Sequence, residues 1–350
     1  MQKQELNQQD HQALPREVVV SDRRAWLTTT VAGAAALGAI GVAMADEKSA
    51  VERSAAPAEK RSGDEPFGYS FNTSTVRGQK VPLPELVDLV AKAGYHAIEP
   101  WINEIQAYQE QGGKLDDLRK RIADAGLTVE SAIGFAAWIV DDDATREKAL
   151  EQARRDMDLV RAIGGTRIAA PPVGATNQTD LNLFRAAERY RRLLEVGANI
   201  GVTPQVELWG FSKSLSRLGE VAFVAAEAGH PDACILADSY HIYKGGSDFR
   251  GLRCLAGSAM HVFHINDYPG EPPRDQIKDA DRVYPGDGVG PLKTMLQDLV
   301  RVGFRGYLSL ELFNPTYYQQ DPREVARRGL EKTKAIVRAA LSSLSNHQPS

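Results

Sequence analysis

From Phe67 onward the chain alternates two patterns. Short apolar runs rich in β-branched residues give way to longer polar stretches in which apolar residues recur at spacings of three and four. The first pattern is that of a buried strand, and the second that of an amphipathic helix lying on a sheet. Strands are therefore predicted at 68–73, 97–101, 128–134, 167–171, 203–209, 234–239, 260–267 and 306–312, with helices at 83–93, 115–125, 145–163, 181–200, 214–228, 291–302 and 322–344. Several of these helices run into a glycine ahead of the next strand (Gly94, Gly126, Gly164, Gly201, Gly229 and Gly303), the usual stop in the left-handed region. Eight strand-helix units in one order predict a single-domain α/β fold, the closed (β/α)8 TIM barrel. A doubly wound sheet would open on a glycine-rich first turn, and no G-x-G-x-x-G follows the first strand.

The pattern fails ahead of Phe67. Residues 1–45 contain Ser21-Asp22-Arg23-Arg24-Ala25-Trp26-Leu27, then an uncharged run rich in Ala, Gly and Thr that closes on Ala43-Met44-Ala45. Paired arginines, a weakly apolar segment and an A-x-A ending resemble a bacterial twin-arginine signal peptide cleaved after Ala45. The expectation is a periplasmic protein exported by the twin-arginine machinery. That route carries folded proteins, so a metal could be loaded before export. The alternative is a membrane anchor, since the uncharged run is about as long as a bilayer span, though its glycines and threonines make a weak one. Residues 46–65, charged and rich in Ala and Pro, read as a flexible linker, 66–345 as the barrel and 346–350 as a tail.

The 350 residues carry a net charge of -4 with acids and bases dispersed. No basic stripe is left for nucleic acid, which is excluded as a partner. Cys234, at a strand start, and Cys254, on the helix that follows, fit two separate buried thiols better than a disulfide. Homo-oligomerisation is left open.

In such a barrel, chemistry is carried at the C-terminal ends of the strands. The last four predicted strands end on Val206-Glu207, Ala237-Asp238, Phe263-His264 and Leu310-Glu311. An ionisable side chain behind an apolar run is costly to desolvate unless it is paired or binds a cation. Four converging ones predict a single divalent metal held by Glu207, Asp238, His264 and Glu311. Three carboxylates and one imidazole suit Mn²⁺ best, with Mg²⁺, Co²⁺ or Zn²⁺ as alternatives.

These segments, together with Ala93-Gly94-Tyr95-His96-Ala97-Ile98-Glu99, Asp238-Ser239-Tyr240-His241 and His264-Ile265-Asn266-Asp267, resemble the xylose-isomerase-like barrel superfamily of sugar phosphate isomerases and epimerases over most of the mature chain. The resemblance implies that the four residues bind metal and that His241 contacts substrate. It implies a reaction through an enediolate, with Glu207 and Glu311 moving protons on the two faces of the substrate. The expected enzyme is an isomerase or epimerase of a non-phosphorylated sugar or keto-sugar. The alternative is a lyase, of the inosose dehydratase or keto-glycoside-cleaving kind, whose enolate expels a β-substituent. A non-catalytic carbohydrate-binding barrel would not need the whole quartet. The related zinc endonucleases need further ligands where this chain has Ser131 and Ala170.

Two departures from the ketohexose epimerases, Lys213 and Gly270, stand where that family carries a second Glu and an Arg. Arg274 is the expected replacement for the latter. Trp101 and Trp209 are expected to stack on a sugar ring or pack at the rim, Lys244 and Asp267 to reach substrate oxygens, and Glu99 to be a structural partner. For Lys244 the ordinary reading, a solvated lysine at a helix start, stands ahead of that role. A phosphate is not expected, because the last two loops contain no Gly-rich nest.

Overall fold

A computed structural model of the protein describes residues 65–345; the signal, anchor and most of the linker assignments lie outside them. Seven parallel strands are present among the described residues: β1 (Gly68–Asn72), β2 (Ala97–Glu99), β3 (Arg167–Ala170), β4 (Thr203–Glu207), β5 (Ile235–Asp238), β6 (Met260–Ile265) and β7 (Tyr307–Leu310). They form one sheet in the order β2-β1-β7-β6-β5-β4-β3. Residues 128–134, expected as a regular strand, fill the remaining gap by isolated bridges. Thr128 and Ile133 pair with Ala97 and Trp101 on one side, while on the other Ala132 exchanges backbone hydrogen bonds with Arg167 and Ala169 (3.1 and 2.8 Å). The ring thus closes into the (β/α)8 barrel, with a loosely paired eighth position. Pro100, just past β2, and Pro171-Pro172, just past β3, lack the N–H groups that a longer ladder would need.

The helices are α1 (Leu83–Ala93), α2 (Ile102–Glu110), α3 (Leu115–Asp124), α4 (Asp143–Ala162), α5 (Leu183–Ile200), α6 (Leu218–Glu227), α7 (Ser239–Lys244), α8 (Leu292–Arg301) and α9 (Pro322–Ser345). Gly94 and Gly201 end α1 and α5 with φ of 90° and 83°, as their place in the sequence required. Two helices have no counterpart in the periodicity, and both start at strand ends. The Glu104 side chain accepts from the Trp101 N–H (2.9 Å) to start α2. Asp238 Oδ1 accepts from the His241 N–H (2.8 Å) to start α7. No helix among the described residues is long and apolar enough to cross a membrane.

Side chains two apart along a strand share a face. Leu236 and Val262, two residues before Asp238 and His264, form with Ile133 and Ala169 a buried apolar cluster separate from the large core. Gln205 and Ser309, two before Glu207 and Glu311, are also buried on that face, and Gln205 donates to Ser131 Oγ (3.1 Å). A packed layer therefore floors the site. Both cysteines are free thiols. Cys234 is buried, and burial pushes its thiol up to about 12. Cys254 corrects the expectation of two buried thiols: it lies on the exposed side of a 3-10 turn.

Candidate active site

The register sets Asp238 opposite His264 and His264 opposite Ser309, so neighbouring strand ends deliver Asp238, His264 and Glu311 to one place. One ligand-type atom from each lies within 4.8 Å of the other two. His264 Nδ1 faces Glu311 Oε2 at 3.3 Å and Asp238 Oδ2 at 3.9 Å without making a hydrogen bond to either. Its Nε2 lies 3.0 Å from Glu99 Oε2, which also accepts from Ser309 Oγ (2.6 Å) and Asn72 Nδ2 (3.0 Å). A buried carboxylate on Nε2 fixes the ring and turns Nδ1 toward the cluster, an arrangement typical of metal-binding histidines. Burial opposes a charged imidazole here, but Glu311 and Glu99 outweigh it and hold His264 well above its ordinary value.

Arg282, which the hydrophobic pattern did not mark, reaches this cluster from the loop after β6. Only 1% of its side chain is exposed. Its Nη1 donates to Asp238 Oδ2 (2.9 Å) and Glu311 Oε2 (2.8 Å), and its Nη2 to His241 Nε2 (3.1 Å) and to Asp279. Because arginine can only donate, His241 Nε2 is the acceptor and the proton sits on Nδ1. Burial, with Arg282 nearby, keeps His241 below its ordinary value and hence neutral. Burial would raise Glu311, but His264 and then Arg282 hold it well below the carboxylate range.

Glu207, at the end of β4, stands apart from this trio. Its Oε2 is buried with no hydrogen-bond partner among the described residues. Burial, reinforced by the Glu311 and Asp238 charges and only partly offset by His264, pushes its carboxyl up to about 8. Glu207, Glu311, His241, Asp279 and Arg282 line one side of a cavity of about 230 Å³. The remaining wall is apolar and mostly aromatic: Trp101, Phe135, Trp209, Phe211 and Phe313 with Ile133. These rings form a chain with centroids 5.0 Å apart for Trp101 and Phe135, 6.3 Å for Phe135 and Trp209, and 5.1 Å for Trp209 and Phe211. Trp101 is fixed by a bond from Nε1 to Asn72 Oδ1 (2.9 Å) and by the Arg77 guanidinium 3.6 Å above its ring.

Of the residues singled out in the sequence, Glu207, Glu311, His241, Trp101 and Trp209 line the cavity, and Asp238 and His264 lie buried beside it. Lys244, Asp267 and Arg274 do not line it. Lys244 Nζ donates to the carbonyls of Arg274, Asp275 and Ile277, staking down the loop. Arg274 packs by Gly246, and the Asp267 carboxylate is taken up by four backbone N–H groups. Of the residues the sequence reading missed, Phe135 and Phe313 follow expected strand ends, so the strand-end rule could have found them. Arg282 and Asp279 carry no such signal. They are brought in by the antiparallel pairing of Val283 with Asp267.

An α/β barrel with a buried cluster of carboxylates and an imidazole at its strand ends defines the class. Residues 87–336 match the family described as Xylose isomerase-like TIM barrel, and the chain belongs to that family. It is 26% identical over 199 residues to the inosose isomerase of Bacillus velezensis, covering 56% of this chain and 71% of that protein. It is 25% identical over 257 residues to the 3-dehydroshikimate dehydratase of Pseudomonas putida, covering 71% of this chain and 39% of that one. Among solved structures, the IOLI protein with a bound zinc atom superimposes with a TM-score of 0.72 at 21% identity, over 78% of this chain and 99% of its own.

Proposed function

We propose that this protein is a metal-dependent isomerase or epimerase of a non-phosphorylated sugar or keto-sugar, acting through an enediolate. The observation that carries the reading is the pair of buried glutamates, Glu207 and Glu311, on the wall of one small cavity beside the buried Asp238 and His264. Two buried carboxyls on the wall of one cavity are placed to move protons to and from a bound substrate. Glu207, Asp238, His264 and Glu311 would hold the ion. The orphaned Glu207 Oε2 and the unbonded His264 Nδ1 supply donor atoms of the right kind, and a relative in fold has a bound zinc atom. When bound, the ion supplies electrophilic stabilisation of negative charge on the substrate oxygens. Glu311 takes the proton next to the carbonyl, and Glu207, which holds the ion as a carboxylate, passes a solvent-derived proton to the other face. His241 holds a substrate oxygen through its Nδ1 proton, and the aromatic wall takes the apolar face of the sugar ring. Among the described residues Arg282 is the one cationic side chain lining the cavity, and its Nη2 is held by His241 and Asp279, so no cluster of cations is offered to a phosphate.

A dehydratase is the second reading, favoured by the relative that bears that name. It differs only in the fate of the enolate. The deciding experiment incubates ion-loaded protein with a panel of keto-sugars, inososes and keto-glycosides in deuterated water and follows them by NMR. Deuterium entering next to the carbonyl without loss of a group supports isomerisation, and release of water or an aglycone supports elimination. Neither event with any substrate, or exchange undiminished in Glu207→Gln, would sink both. Glu207→Gln should lose roughly 10²- to 10⁴-fold in rate, the usual worth of a positioned acid-base group. We also propose a periplasmic location by the twin-arginine route. Cell fractionation of the chain with Arg23→Lys and Arg24→Lys tests it, since retention in the cytoplasm is expected only of the variant.

A further inference from the structure

One oxygen of the Asp238 carboxylate, Oδ2, has both of its acceptor positions used. Oδ2 accepts from Asn266 Nδ2 (3.0 Å) and from Arg282 Nη1 (2.9 Å), and Oδ1 caps α7. A carboxylate oxygen offers about two such positions. An ion that takes Oδ2 must therefore displace one of the two donors. Asn266 cannot leave cheaply. Its own Oδ1 is held by Ser239 Oγ (2.8 Å) and the Tyr240 N–H (2.9 Å), so its amide is locked in place. Arg282 is different. Its Nη2 has partners of its own, His241 and Asp279, and these would keep the guanidinium paired after Nη1 lets go.

Resting on the metal reading above, we propose that Arg282 Nη1 and the divalent ion are alternative occupants of Asp238 Oδ2 and Glu311 Oε2. Ion binding moves Nη1 off these oxygens while Nη2 stays on Asp279 and His241. Arg282 then remains as the cationic side chain of the cavity wall, with Nη1 free for a substrate oxygen. The exchange explains how two carboxylates and an arginine can share a buried place that must also admit a dication. Unpaired, the carboxylates would be expensive there.

The test has two arms. In the first, the full chain is soaked with Zn²⁺ and its crystal structure determined with the ion located by anomalous scattering. Exchange requires the ion at Asp238 Oδ2 and Glu311 Oε2 with Nη1 out of hydrogen-bond reach of both. Zn²⁺ seated there with Nη1 still bonded to Oδ2 overturns the exchange and leaves the metal reading intact. No Zn²⁺ at these residues overturns both. The second arm is Zn²⁺ titration calorimetry of wild type and Arg282→Gln. A residue that merely orients a metal ligand costs roughly 10- to 100-fold in affinity when removed. A competitor gives the opposite sign, tighter binding by about tenfold or more. Weaker or equal binding in the variant counts against exchange. Should Arg282→Gln fail to fold, the wild-type structure decides alone.

Discussion

Asp267 offers the sharpest test of how the site is built. The sequence suggested a substrate ligand. In the structure its carboxylate accepts four backbone N–H groups, from Tyr268 (2.8 Å) and Gly290 (2.9 Å) on Oδ1 and from Gly286 (3.0 Å) and Gly288 (3.2 Å) on Oδ2. It therefore ties both ends of the loop that carries Arg282 to the end of β6. A hydrogen bond to a charged group contributes roughly 1.5–3 kcal/mol, and the released amides are only part-buried and partly regain water, so Asp267→Ala should cost about 3–6 kcal/mol. Asp267→Asn keeps one oxygen but turns an NH₂ toward two N–H donors, and should cost about 2–4 kcal/mol, most of the same loss. Asp267→Glu should not rescue, because Gly288 and Gly290 pack so closely on Asp267 that even a Cβ there would meet its Oδ1 at 2.4 and 2.7 Å. Urea unfolding gives the stability change, with an unaltered m-value showing that the same structure unfolds. If Asp267→Ala and Asp267→Asn both unfold within about 1 kcal/mol of wild type, and the three glycine amides keep their protection from hydrogen exchange, the loop is held by something else.

Three further outcomes follow from the same geometry. Glu99→Gln removes the carboxylate that orients His264, so the Zn²⁺ dissociation constant measured by calorimetry should rise roughly 10- to 100-fold. Trp209→Ala opens the aromatic wall, and steady-state kinetics should show KM rising while kcat changes little, as for lost uniform binding of the ring. The folded-state pKa of Glu207 lies above its ordinary 4.5, at about 8, so the stability it contributes is complete below about 4.5 and is lost as pH rises through 8. In chelator-treated protein that loss should be about 4 kcal/mol between pH 5 and 9 and be absent from Glu207→Gln, as read from denaturant unfolding.

The strand ends were legible because two rules of different origin coincide there. Apolar runs mark where strands lie, and the barrel places function at their C-terminal ends. Glu207, Asp238, His264 and Glu311 follow from that alone, and the structure places three of them within 4.8 Å. The paired strand at 128–134 and the helices α2 and α7 were misjudged for local reasons. Prolines cut the ladder beside the first, and single side-chain caps from Glu104 and Asp238, which no periodicity reveals, start the other two. The loop between β6 and α8 was opaque for a different reason. Its fold is written in side chain to backbone bonds of Asp267 and Lys244 and in one antiparallel bridge, so Arg274 was expected at the site and Arg282 was overlooked.

The charges around the site would let a dication enter so buried a place without a net change of charge, and that balance gives a proton count that can be measured. At neutral pH Glu207 is protonated, with its carboxyl pushed up to about 8, and His264, held well above its ordinary value, is an imidazolium. An ion ligated by Glu207 and by His264 Nδ1 requires both to lose a proton. Two positive charges leave as two arrive, and Arg282 keeps its own on Asp279, so the formal charge of the buried cluster is unchanged. Burying a net new charge would cost several kcal/mol, and an exchange at constant charge avoids it. Zn²⁺ titration calorimetry at pH 7 in buffers of different ionisation enthalpy should therefore report about two protons released per ion. Above pH 8 the count should fall toward one, because Glu207 is by then ionised before the ion arrives, and Glu207→Gln should show about one proton less at pH 7. A release near zero at pH 7 would mean that the ion joins groups already ionised, and the balance of charge argued for this site would be wrong.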